Sequence, residues 1–139
     1  MVKSDVLKRR LEQLNISLRK LERYKNISFE EFIEDDVIQD VIEYNLFISI
    51  NMMVDIAMHI VVDEQLGPTD KMGEAFEILY KEKYIKKEEM IKYKNMIAFR
   101  NILSHEYVKI DKKIVFNVMK NNLDDFRKFI VFVTESFKL

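Results

Sequence analysis

Leu7, Leu11, Leu14, Leu18 and Leu21 recur at alternating spacings of four and three residues, with Arg, Lys and Glu among the intervening positions. Such spacing draws one apolar stripe along a helix. It predicts a helix over about Asp5 to Tyr24, with the stripe as a core or coiled-coil-like seam. Ser28-Phe29-Glu30-Glu31 has the form of a capping box, in which the serine hydroxyl serves an orphan N–H and Glu31 reaches back. A short helix is expected to start there, ahead of a longer one from about Asp36 to Glu64. From Leu46 to Val62 the longer segment is apolar almost all round, so it is expected to be buried on most sides. Gly67-Pro68-Thr69 should end it, with glycine as the C-terminal cap, proline as the break and threonine as the next N-cap.

A short helix over about Lys71 to Lys81 should then bury Met72, Ala75, Phe76, Leu79 and Tyr80. A charged connection around Tyr84 to Lys87 leads into a helix over about Glu88 to Ser104, with Tyr93, Met96, Ile97 and Leu103 as its buried face. Asp111 is placed as an N-cap for the C-terminal region. There Val115, Met119, Leu123, Phe126, Ile130, Val133 and Phe137 mark a stripe, and Asn121-Asn122 either kinks it or splits it in two. The pattern predicts an all-α fold: an up-and-down antiparallel bundle of about five to six helices with one long central helix.

Composition supports this picture. The chain has 139 residues, which fits a single domain over 1–139. Gly 2 and Pro 1 argue against an all-β fold, which needs many tight turns. Cys 0 removes disulfides, thiol nucleophiles and zinc–thiolate sites, and is compatible with a cytoplasmic location. The N-terminus runs straight into a charged amphipathic segment, so no signal peptide is expected. A net charge of −1 supplies no bulk basic field for nucleic acid, so any RNA binding would need a local cleft. No metal site and no cofactor are expected, and no phosphate-binding glycine loop, GxSxG elbow or HExxH helix is present.

Within the long apolar segment Asn51, Asp55 and His59 fall at successive steps of four, forming one polar ridge. Together with Ser49 these positions argue against a membrane span. An ionised Asp in an apolar wall needs a partner. Either Asp55 and His59 satisfy each other or neighbouring helices, or the ridge lines a cleft or a two-fold interface.

Arg100 follows Met96 by four residues and Ile97 by three, which sets it on or beside the apolar face. A guanidinium there must find a carboxylate, a phosphate or another fixed partner; Asp55 is the expected resting partner. His105 comes five residues later, where the helix should end, and a helix end lets both side chains point into one cleft. An imidazole can take the proton of a ribose 2′-hydroxyl or give one to a leaving oxygen. The guanidinium suits the charge that develops on phosphorus. Asn101 and Ser104 could add polar contacts or support the turn. The same residues also fit a structural helix-end network.

Arg100-Asn101-Ile102-Leu103-Ser104-His105-Glu106-Tyr107 resembles the R-x4-H-x-Y motif of HepT-like proteins of the HEPN superfamily. The resemblance covers most of the chain and includes the Asn51, Asp55, His59 pattern, the Gly67-Pro68 turn, Phe76 with Leu79, and Phe99. It implies a HEPN-like helical bundle that forms a homodimer, with two R-x4-H motifs meeting across the two-fold axis. It also implies a metal-independent endoribonuclease toxin, with Arg100 and His105 catalytic. The implied partner is an MntA-like nucleotidyltransferase antitoxin that transfers AMP to Tyr107. Two other readings stay open: a non-catalytic module that binds a nucleotide or docks the nucleotidyltransferase, and a plain helical oligomerisation domain.

Overall fold

The computed structural model describes residues 1–105 and 110–139. Among them are seven α-helices and no strand: α1 (Ser4–Glu22), α2 (Phe29–Glu34), α3 (Asp36–Asp63), α4 (Glu74–Lys81), α5 (Lys87–Ser104), α6 (Lys112–Asn121) and α7 (Leu123–Phe137). The leucine stripe of α1 is buried throughout. It lies along α3, with Arg10 beside Asp55 and Met1 beside Asp63, so the two helices run antiparallel. On another side α5 also runs antiparallel to α3, with Arg100 at Asn51 and Ser104 near Tyr44. All six other helices touch α3.

The start signals operate as the sequence indicates. Ser28 and Glu31 close their capping box on α2. Asp35 accepts from Val37 N (3.0 Å) and Ile38 N (3.2 Å) at the head of α3, and Asp111 accepts from Lys113 N at 2.9 Å before α6. The stop signals differ. The left-handed residue after α3 is Gln65 (φ 56°), not Gly67. Leu66 N donates to Val61 O (2.9 Å) and Gln65 N to Val62 O (3.1 Å), the paired bonds of a Schellman motif. Thr69 caps nothing, because α4 begins only at Glu74 behind Gly73.

Seven helices stand where five to six are expected because the C-terminal stripe does split: Asn122 closes α6 and precedes α7. Leu123, Phe126 and Val133 of the expected stripe are buried in α7, Phe129 joins them, and Ile130 and Phe137 are half-buried. Tyr80, expected inside, is at the surface. Leu103 is half-buried rather than buried. Two aromatic groups tie distant segments. Phe76, Tyr93 and Phe129 join α4, α5 and α7 with centroids 5.2 to 6.2 Å apart. Phe29 and Phe32 meet Phe116 at 5.4 and 5.5 Å, fastening α2 to α6. Burial raises the Tyr93 hydroxyl above the ordinary tyrosine value, with Glu89 and Asp125 adding to the effect, so it stays neutral in the core.

α3 is less enclosed than its composition suggests. It is long and apolar enough to cross a bilayer, yet little more than half of its apolar stretch is buried. A strip including Tyr44, Ile48, Met52, Asp55, His59 and Val62 keeps some exposure. The candidate site lies along this strip.

Candidate active site

Phe47, Asn51, Asp55 and His59 succeed one another at steps of four on α3, so they share one face. Each is half-buried. The last turns of α5 cross this face and bring Arg100 onto it. The Arg100 Nε donates to Asn51 Oδ1 at 2.7 Å. Its Nη1 donates to Asn101 Oδ1 at 3.1 Å. Its guanidinium carbon lies 4.9 Å from the centroid of Phe47, within cation–π range. Phe47 is a site residue that the polar ridge did not flag. The signal was present, since it stands four residues before Asn51.

The expected pairing of Arg100 with Asp55 does not form. Asp55 Oδ2 accepts from Arg10 Nε at 2.5 Å, and His59 Nε2 lies 3.6 Å from the same oxygen. Arg10 comes from α1 and reaches Asp55 one turn away from the Asn51 contact. Periodicity cannot reveal this choice, because it depends on how two helices dock. The ridge thus divides: Asn51 serves Arg100, whereas Asp55 and His59 join Arg10. Arg10, Asp55 and His59 keep 42%, 38% and 36% side-chain exposure, so their mutual attraction is screened and small. Among the described residues, no group of three or more His, Asp or Glu is placed to hold a metal ion.

This arrangement gives Arg100 a defined electrostatic character. Its contacts are two amide oxygens and a ring, all uncharged, and no carboxylate lies within ion-pair distance among the described residues. A guanidinium has five N–H donors, and these contacts occupy two. The geometry of the remaining donors is of the kind that suits an oxyanion.

Ser104 and His105 close α5. Ser104 Oγ donates to Asn101 O at 2.8 Å, so the hydroxyl supports the last turn. His105 is the C-cap, with φ −93° and ψ 92°, and its N–H donates to Ile102 O at 3.2 Å. The backbone leaves the helical path at this residue, and the imidazole is exposed. Tyr107 lies outside the described residues.

With this geometry in view, the similarity to known proteins is specific. Residues 14–133 match the family model described as Ribonuclease HepT-like. The "mRNA nuclease HepT" of Shewanella oneidensis is 26% identical over 100 residues, covering 72% of this chain and 75% of that protein. The structure of a tri-AMPylated HEPN toxin from Shewanella oneidensis in complex with MNT antitoxin superposes with a TM-score of 0.87 at 25% identity, over 94% of this chain and 98% of that one. A toxin–antitoxin structure with AMP-PNP gives a TM-score of 0.87 at 24% identity with the same coverage.

Proposed function

The chain belongs to the ribonuclease HepT-like family, and from that premise we propose that it is the toxin of a toxin–antitoxin pair, a cytoplasmic endoribonuclease that cuts RNA with Arg100 and His105. The observation that carries the reading is Arg100 itself: a cation fixed by Asn51, Asn101 and Phe47 but neutralised by none of them.

In this reading the substrate phosphate binds the open side of the Arg100 fork. One His105 imidazole takes the proton of the ribose 2′-hydroxyl as its oxygen attacks phosphorus. The bond from phosphorus to the 5′-oxygen breaks, and the leaving oxygen receives a proton from a second imidazole. The products are a 2′,3′-cyclic phosphate and a 5′-hydroxyl. The guanidinium meets the charge that develops on the phosphorane oxygens. No step in this scheme calls for a metal. Acid and base are different molecules of imidazole, so the scheme needs two copies of His105. A homodimer with a C2 axis through the cleft supplies both, and C2 is the commonest form of association. The half-exposed part of the α3 strip from Met52 to Val62, beyond Tyr44, supports such a pairing.

The related complex of a tri-AMPylated toxin with its MNT antitoxin suggests how the activity is held in check. We assign Tyr107, two residues beyond His105, as the acceptor of AMP. A phosphodiester attached there carries a negative charge, and in this reading it competes with substrate phosphate for the guanidinium.

The test is cleavage of a generic RNA in EDTA by unmodified protein, wild type beside His105→Ala, with the mass of the Tyr107 peptide and the sedimentation of both proteins recorded. We expect cleavage by the wild type alone, with both proteins sedimenting as dimers. A wild type with bare Tyr107 that leaves RNA intact would transfer the site to the alternative reading, a module that binds a nucleotide or docks the nucleotidyltransferase. An active monomer would remove the two-imidazole scheme.

A further inference from the structure

Between α3 and the C-terminal end of α5 lies a cavity of about 280 Å³, lined by Glu43, Tyr44, Phe47, Leu103 and Ser104. We propose that it is a nucleobase subsite, receiving a base of the RNA strand next to the phosphate held by Arg100; this rests on the ribonuclease reading above.

Three features place a base there. The first is Tyr44, a residue 63% exposed although Ile42, Asn45 and Leu46 around it are buried. An aromatic ring presented to solvent on the most heavily packed helix has no role in the core. At the wall of a cavity it offers a flat apolar face, the platform on which unpaired bases stack. The second is Phe47, which lines the cavity and also carries the Arg100 guanidinium 4.9 Å from its centroid. One ring therefore borders both the phosphate-binding fork and the cavity. A nucleotide carries an anionic phosphate and an aromatic base on one ribose, which matches this adjacency. A purely apolar protein side chain would leave the cation without a counterpart. The third is the polar part of the wall. Glu43 is held by Lys112 Nζ, 2.6 Å from its Oε2, and Ser104 contributes a hydroxyl. These groups offer hydrogen-bond partners to the edge of a stacked base.

Tyr44 is the residue to change, because it lines the cavity without touching Arg100. The measurement is binding of a labelled single-stranded RNA and of an abasic ribose–phosphate strand of equal length. Both are titrated by fluorescence anisotropy onto His105→Ala protein, with Tyr44 intact or replaced by Phe or Ala. Stacking of one base on an aromatic ring makes about a tenfold difference in affinity. We expect Tyr44→Ala to lose about that factor on RNA, Tyr44→Phe to keep wild-type affinity, and all three proteins to bind the abasic strand alike. An equal loss on the abasic strand, or no loss on RNA, would overturn the subsite. So would a change in sedimentation on going to Tyr44→Ala, which would give the ring to contact with a second copy. Failure of the wild type both to bind and to cleave RNA would sink the ribonuclease reading and the subsite with it. Cleavage by the wild type with unchanged affinity for Tyr44→Ala would sink the subsite alone.

Discussion

Arg100 and Glu77 show two uses of charge on helices that pack together. Arg100 is held by neutral groups among the described residues. Glu77 on α4 is hydrogen-bonded by Lys94 of α5, and that bond, with the charge of the same lysine, holds its carboxyl below the ordinary value. A depressed folded-state value means that the pair's contribution is present at neutral pH and is lost as pH falls through that value. Lys94→Met should therefore return the Glu77 carboxyl to the usual carboxylate range, as followed by ¹³C NMR titration. The stability gap between wild type and variant should shrink on acidification. A gap that widened toward low pH would contradict the assignment. Both residues are partly exposed, so the gap should be small throughout.

At the scale of the element, the chain ends helices without glycine. Gln65, Lys83 and Lys138 take the left-handed conformation, with φ of 56°, 66° and 54°. Lys83 repeats the arrangement at Gln65: Tyr84 N donates to Leu79 O at 2.9 Å and Lys83 N to Tyr80 O at 3.0 Å. Tyr84 then packs on Phe132 and Phe137 of α7, so the cap also directs the chain into the core. A residue with a Cβ bears roughly 1–2 kcal/mol of strain in this conformation, and a β-branched one bears more. Lys83→Val should lower stability by about 1–2 kcal/mol. Lys83→Gly should be neutral or stabilising, because relief of strain offsets the greater freedom of the unfolded chain. Urea unfolding of the two variants checks the ordering, and a glycine variant weaker than the valine variant would show that the cap is not strained.

For the molecule as a whole, the candidate site depends on docking at a distance from it. α5 crosses α3 so that Arg100 reaches Asn51, and elsewhere on α5 Tyr93 packs against Phe76 and Phe129. Phe129 is fully buried and belongs to α7. Phe129→Ala should cost about 3–5 kcal/mol, a large part of the roughly 5–15 kcal/mol that holds a domain together. The midpoint of urea unfolding should fall with little change in slope. A loss below about 1 kcal/mol would mean that the cluster collapses to fill the space.

Local signals determined the helices and most of their starts. The stripe of α1, the box at Ser28 and the cap at Asp111 depend on residues within one or two turns, so the sequence alone announces them. The R-x4-H spacing and the face shared by Asn51, Asp55 and His59 were legible for the same reason. Partner choice was not. Asp55 takes Arg10 and Arg100 takes Asn51 because α1 and α5 reach α3 one turn apart, and neither reach is encoded in a local spacing. Along α7 the stripe named Leu123, Phe126 and Val133 correctly, and packing against Phe76 and Tyr93 decided that Phe129 rather than Ile130 completes the buried row. Periodicity names the faces of a helix, and only docking decides which residues on those faces meet.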